Sequence, residues 1–372
     1  MIPELRIAAR CWAACTAALV ISSVPPNVPV KAETLAIGNY LQKLSPGLNL
    51  GNTLEASPTE TSWGNPKPTE AFFKAVKAAG FQSIRIPVAW SQYADAMHQI
   101  RPDWLAHVKD VALQATRSGL YVLVNVHWDG GWMQPTNARK AAVNEKLAKF
   151  WTQIATDFRD FDDHILFAGT NEVHVDGNYG APTAENAAVQ NGFNQTFVDA
   201  VRATGGKNKT RFLVVQSYNT DIGHAIKFNA SMPIDSAKGR LMMEVHYYSP
   251  YNFTLNDKSD IWQWGAKAKD PKATETWANE GFVDAQFQSM KSAFVDKGVP
   301  VLLGEYAAGL KRKYPEMRGY QKDWVSYVTR SAHRHGVVPM YWDIGTASGL
   351  FNRTTGIPQD PDLIKTIVDA TK

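Results

Sequence analysis

Cysteine is nearly absent from this chain of 372 residues, and its two copies, Cys11 and Cys15, both lie in the first 32 residues. Without that segment there is no disulfide, no thiol nucleophile and no thiolate metal site to build. Stability must then come from the core alone, which about 340 residues can supply. A strong charge imbalance is also missing. The formal net charge is +4, and leaving out the first 32 residues, with three basic side chains and one acidic, gives 36 basic against 34 acidic. Nothing in that balance attracts a nucleic acid, and none is expected as a partner.

The apolar run from Cys11 to Val24 is shorter than the ~20 residues a membrane-spanning helix needs. Arg6 and Arg10 precede it, Pro25-Pro26 follow it, and Val30-Lys31-Ala32 supplies a small-residue cleavage site. This reads as a secretory signal peptide over residues 1–32, cleaved near Ala32, which places the mature protein outside the cell with no membrane attachment. A retained anchor, or a lipid on Cys15, is the alternative. Two other absences bear on function. Gly51-Asn52-Thr53-Leu54-Glu55 contains no GxGxxG, which argues against a nucleotide cofactor and against a doubly wound open sheet. There is also no Pro/Ser/Gly-rich linker, so residues 33–372 are expected to form one domain and, by extension, a monomer.

What the chain does contain is a regular alternation. Short apolar runs at Leu48 to Asn52, Ser83 to Val88, Tyr121 to His127, Ile165 to Thr170, Phe212 to Gln216, Leu241 to Tyr247, Pro300 to Glu305 and Val337 to Trp342 read as strands. Stretches with i, i+3, i+4 apolar spacing separate them, at Thr69 to Ala79, Pro102 to Ser118, Ala142 to Phe161, Ala184 to Thr204, Ala285 to Lys297 and Gly319 to His335. A short fifth helix near Ile222 to Phe228 and a last one from Pro361 to Thr371 complete the series. Eight strands, each followed by a helix, predict an α/β fold of the (β/α)8 TIM-barrel type.

Strand ends of such a barrel converge on one mouth, and here they are polar: Asn52, Arg85, His127, Asn171 with Glu172, Gln216, His246 with Tyr248, Glu305, and Trp342 with Asp343. Glu172 closes strand four and Glu305 closes strand seven. Opposed carboxylates are what glycoside hydrolysis needs, one protonating the departing oxygen and the other attacking the anomeric carbon or activating water. A separation of about 5–5.5 Å, the retaining geometry, is expected. Asn171 would then bond the sugar 2-OH.

Taken in order, Gly47-Leu48-Asn49-Leu50-Gly51-Asn52-Thr53-Leu54, Ile84-Arg85-Ile86-Pro87-Val88, Asn125-Val126-His127-Trp128, Thr170-Asn171-Glu172, Val245-His246-Tyr247-Tyr248 and Leu303-Gly304-Glu305 resemble glycoside hydrolase family 5. The resemblance runs from about Leu48 to Trp342. It implies Glu172 as acid/base and Glu305 as nucleophile, with Asn52, Arg85, His127, Trp128, Asn171, His246, Tyr248 and Trp342 around the cleaved bond. It implies no cofactor. Two departures stand out: Gly169-Thr170-Asn171-Glu172-Val173 lacks the family's Leu before and Pro after the Asn-Glu pair, and His127-Trp128 replaces a His-His.

Blander readings sit beside these. Arg85 alone could be a structural ion pair, and His127 and His246 satisfied core histidines. With Glu172 and Asp343 the two histidines could bind a metal, but no strand carries the His pair such a site would want. Trp104, Trp151 and Trp324 fit core positions. Trp63, Trp90, Trp128, Trp132, Trp262, Trp264 and Trp277 fall near loops, where indoles can line a polysaccharide cleft, with Trp128, Trp132, Trp262 and Trp264 the preferred four. Glu244 is expected to act from one layer below His246, and Glu55 and Asp129 to contact loops or substrate hydroxyls. The expected reaction is retaining internal cleavage of a β-1,4-glucan, with Glu172 held protonated by its surroundings and Arg85 holding Glu305 ionised. Mannan, xyloglucan and mixed-linkage glucan are the alternative substrates, and a non-catalytic polysaccharide-binding protein the rival class. An aldolase or isomerase of phosphosugars is disfavoured, since no Lys ends a strand.

Overall fold

The computed structural model describes residues 37–372 except 128, 230 and 231. The expected leader and Trp128 lie outside the described residues. Eight parallel strands close into a barrel in sequence order. They are β1 (Gly47–Leu50), β2 (Ser83–Ile86), β3 (Tyr121–Asn125), β4 (Ile165–Ala168), β5 (Leu213–Gln216), β6 (Leu241–His246), β7 (Val301–Tyr306) and β8 (Val337–Asp343), with β8 pairing back onto β1.

Each strand is followed by a helix. These are α1 (Glu70–Ala78), α2 (Pro102–Arg117), α3 (Lys140–Asp157), α4 (Ala184–Ala203), α5 (Ile222–Phe228), α6 (Glu280–Ala293), α7 (Met317–Arg334) and α8 (Pro361–Asp369). The strands read as continuous apolar runs because barrel packing covers both faces, one by helices and one by the interior. Helix starts are fixed locally. Thr69, Asp221, Asn279 and Asp360 accept a backbone N–H of the first turn, and Thr183 forms a capping box with Asn186. Gly80 and Gly119, with φ of +110° and +86°, turn the chain from helix toward strand where a Cβ would be strained.

Three features differ from the expected series. A short N-terminal helix, Ile37–Gln42, precedes β1, and its Tyr40 stacks on Phe212 at 4.1 Å beside Tyr121, at the ends of the strands opposite the mouth. The sixth helix begins at Glu280, earlier than periodicity indicated, because Asn279 caps it. The register slips between Val245 and His246, and again between Leu303 and Tyr306. Such irregularities re-aim side chains, and here they set His246 opposite Glu305.

Between α3 and β4 most of the side-chain bonds to backbone carbonyls come from Arg211. It donates to the carbonyls of Phe158 (3.1 Å), Phe161 (2.7 Å), Asp162 (3.0 Å) and Ile165 (2.8 Å), and to Asn208 Oδ1 (2.6 Å). Burial lowers its pKa to about 10, which leaves it a cation at neutral pH. Arg211→Met orphans these carbonyls, so unfolding free energy in urea should fall by at least about 3 kcal/mol. An unchanged midpoint would show that the turn holds without it.

Candidate active site

The mouth is assembled from side chains on or just after seven strands. Arg85, from β2, is fully buried and reaches residues on or just after four others. Its Nη1 donates to Glu305 Oε1 at 2.9 Å and to Asn49 Oδ1 at 3.0 Å, its Nη2 to Asn171 Oδ1 at 2.6 Å, and its Nε lies 2.9 Å from Glu244 Oε1. Guanidinium only donates, so Asn171 must turn its oxygen inward, and its NH2 is left for the open side. Tyr248 donates its hydroxyl to Glu305 Oε2 at 3.0 Å, so both oxygens of this carboxylate are engaged. His246 Nδ1 is 2.7 Å from Glu172 Oε1 and 3.7 Å from Glu305 Oε2, while its Nε2 is 3.4 Å from Glu244 Oε1. Oxygens of Glu172 and Glu305 and a ring nitrogen of His246 all lie within 4.8 Å of one another, so the two carboxylates approach as closely as a retaining pair requires.

His127 is set up differently. Asn125 Oδ1 accepts from Val88 N at 3.1 Å, so its Nδ2 faces His127 Nδ1 at 3.1 Å as a donor. That assigns the proton of a neutral His127 to Nε2. Burial, with help from the Arg85 and His246 charges, holds its pKa well below the usual histidine range. The ring stacks on Trp342 at 5.8 Å and 15°.

Electrostatics correct one expectation. Burial pushes Glu172 up, but the hydrogen bond and charge of His246, with Arg85 behind them, bring it below the ordinary carboxylate range. Glu305 moves the other way. Burial raises it, the Glu172 and Glu244 charges add to that, and His246 and Arg85 offset only part. In the unliganded site the surroundings thus favour the charged form of Glu172, whereas Glu305 holds its proton more readily than an ordinary carboxylate despite Arg85, the reverse of the expected order. Burial also opposes charge on His246, yet Glu305, Glu172 and Glu244 together raise it to about 9.

Several sequence candidates sit elsewhere. Asn52 turns at φ +56°, donates its N–H to Glu55 and accepts from Asn65 Nδ2 at 2.8 Å. Its side chain joins no hydrogen bond of the two carboxylates among the described residues. Asp343 pairs with Arg353 at 3.0 Å and accepts from Gly345 N and Leu350 N, a loop anchor and not a mouth ligand. Glu55 likewise holds its loop, accepting from Thr53 N at 2.9 Å, and Asp129 accepts from Trp90 N at 3.1 Å. Trp264 is buried with Nε1 donating to Ala278 O at 2.6 Å, and Trp90 is buried with Nε1 on Asn125 O at 2.9 Å. Neither is a cleft platform. Trp132 packs edge-on against Phe150 with Lys146 over its ring, and Trp262 stacks on Tyr314 at 5.3 Å. Asn49 was missed. Its signal is an Asn inside an apolar strand, where its Nδ2 ties Gly304 O (2.8 Å) to Met340 O (3.1 Å).

On a closed eightfold barrel, two carboxylates at this spacing across the mouth are the arrangement glycoside hydrolysis calls for, and the protein's class follows: it is a glycoside hydrolase. The profile of the cellulase family, glycosyl hydrolase family 5, matches residues 49–348, and the chain belongs to that family. It is 44% identical over 342 residues to the xyloglucan-specific endo-β-1,4-glucanase BoGH5A of Bacteroides ovatus, covering 87% of this chain and 68% of that one. It is 36% identical over 361 residues to endoglucanase A of Paenibacillus barcinonensis, covering 90% of each. Among solved structures, the Bacteroides ovatus family 5 xyloglucanase in complex with a XXXG heptasaccharide superposes with a TM-score of 0.87 at 41% identity, over 91% of this chain and 77% of that one.

The raised His246 makes a stability prediction. Its unfolded value is about 6.5, so its contribution is fully present below that pH and is lost as pH rises through about 9. Thermal denaturation should therefore show stability falling between these limits, and His246→Gln should flatten that part of the curve. An equal slope in both proteins would remove His246 as its cause.

Proposed function

We propose that the protein is a secreted, monomeric, retaining endo-β-1,4-glucanase, with Glu172 as acid/base and Glu305 as nucleophile. The close approach of these two carboxylates, with both Glu305 oxygens engaged by Arg85 and Tyr248, carries the reading. A sugar ring settles over Glu305 with Trp342 offering its flat face, while Asn171 NH2 and His127 Nε2–H donate to ring hydroxyls. Asn52 shapes the loop after β1, and Trp128 is a further proposed substrate contact.

Substrate reverses the order of the two acids. The Glu172 side chain is 39% exposed, and covering it strips away the water that stabilises its charge, which raises its proton affinity. Glu305 keeps its two donors and stays available as an anion. Glu172 then protonates the glycosidic oxygen while Glu305 attacks the anomeric carbon, forming a covalent glycosyl-enzyme. Esterification removes the Glu305 charge, which lowers the proton affinity of Glu172, and the freed carboxylate deprotonates the incoming water. The groove beside Glu172, lined by Gln134, His174 and Asp176, takes the leaving sugar.

A β-1,4-glucan backbone is the proposed substrate. Similarity to BoGH5A favours a cleft that also admits xyloglucan.

Two outcomes test these assignments. Reducing-sugar release should be seen on carboxymethylcellulose, mixed-linkage glucan or xyloglucan, with the first-formed product retaining its anomeric configuration by NMR. Glu172→Ala and Glu305→Ala should each lower the rate by ~10²-fold or more, and release of inverted product would overturn the nucleophile. For export, the protein recovered from culture medium should begin at or near Glu33. Protein confined to the cell pellet with residues 1–32 intact would refute the leader.

A further inference from the structure

Beneath the two catalytic candidates lies a third carboxylate that the reaction does not touch. Glu244 on β6 is wholly buried and meets three partners: Arg85 Nε at 2.9 Å, Gln216 Nε2 at 2.6 Å and His246 Nε2 at 3.4 Å. Gln216 is itself fixed, since its Oε1 accepts from Thr170 N at 2.9 Å and Thr170 Oγ1 at 3.0 Å, two residues before Glu172. On the opposite side the carboxylate occupies the space a side chain at residue 304 would need. A Cβ on Gly304 would lie 2.0 Å from Glu244 Oε1. Glu244 thus packs against the residue before Glu305 and, through Gln216, against the approach to Glu172.

We propose that Glu244 is a positioning residue that keeps His246 protonated on both ring nitrogens, so that His246 Nδ1 supplies Glu172 with the proton delivered to the leaving oxygen. This rests on the assignment of Glu172 as the acid. The argument is one of donors and acceptors. A neutral imidazole has one N–H, yet His246 faces a carboxylate at each end, Glu172 through Nδ1 and Glu244 through Nε2. With both carboxylates ionised, as in the free site, both nitrogens must donate, which makes the ring a cation. Glu305 also favours the cation, and strongly, but it acts from the Nδ1 side, whereas Glu244 is the carboxylate at Nε2. Glu305 lies off Nδ1 at 3.7 Å, Arg85 opposes the charge, His127 is neutral, and Tyr248 is committed to Glu305. Burial pushes Glu244 up, but Arg85, His246 and Gln216 bring it to about 2, so it stays an anion throughout the working range.

The proton balance closes. As sugar covers Glu172, the Nδ1–H bond breaks and an O–H bond forms on Glu172 Oε1, leaving neutral His246 with its Nε2–H still on Glu244. Glu172 passes that proton to the glycosidic oxygen. In the second half-reaction Glu172 takes a proton from water and returns it to Nδ1.

Removing an anion lowers the proton affinity of a neighbouring couple. In Glu244→Gln the amide can donate to Nε2, and a neutral His246 becomes satisfied. The alkaline limb of kcat/KM on an aryl cellobioside with a poor leaving group should move to lower pH by about one unit or more. Substrates with activated leaving groups should lose much less rate. Glu244→Asp keeps the charge and should hold the limb near its wild-type position. A folded Glu244→Gln enzyme whose limb superimposes on wild type overturns the inference. If that variant does not fold, 15N NMR of the wild-type imidazole decides: His246 protonated on both nitrogens at pH 7 supports it, and a neutral ring there overturns it. Full activity of Glu172→Ala on the poor leaving group would instead remove the underlying acid assignment, which separates the two failures.

Discussion

A guanidinium without access to water is the constraint around which this barrel mouth is arranged. Burying Arg85 would cost several kcal/mol if it were left unpaired. Its cost is offset because Asn49 on β1, Asn171 after β4 and Glu305 on β7 supply acceptors and Glu244 on β6 an ion-pair partner. In meeting that demand the strands fix the orientation of Asn171 and the position of Glu305. The same contacts that stabilise the cation place the groups proposed to meet a sugar.

From Arg85 the charge continues upward in alternating sign. Glu244 below, His246 above it, then Glu172 and the buried Glu305 in the mouth form a ladder in which each carboxylate has a cation beside it. Alternation of this kind lets several ionisable groups share a dry site, since each desolvation cost is met by a neighbour. It also couples them, so that no proton belongs to one residue alone. The opposite shifts of Glu172 and Glu305 in the free site are a consequence, and the part of the ladder still open to water is the edge of Glu172.

Much of the framework was legible along the chain. All eight strands and the helices between them follow from apolar runs of strand length alternating with 3.6-residue periodicity, both set by nearest neighbours in the sequence. Helix ends at Gly80 and Gly119 were readable for the same reason, because positive φ is a local demand. Polar residues closing apolar runs pointed to Arg85, His127, Glu172, His246 and Glu305. Trp104, Trp151 and Trp324 are buried as their helical positions implied, but the loop-side tryptophans were not readable in this way. Trp90 and Trp264 lie near loops, as cleft residues would, and only their burial and their indole bonds to Asn125 O and Ala278 O mark them as packing.

Identity and order of the mouth residues were thus determined by the sequence, because a closed barrel brings the end of every strand to one place and the strands can be counted. Which of those residues touch, and which way protons are distributed among them, was decided only by the tertiary structure. Asn52 and Asp343 end strands like the others but turn to their own loops, while Asn49 and Glu244, one layer deeper, join the network. The His246 register slip, the empty Cβ position of Gly304 and the reversed shifts of Glu172 and Glu305 arise from distances between strands far apart in the chain. Electrostatic energy depends on those distances and on exclusion of water, and neither is a property of any stretch of sequence.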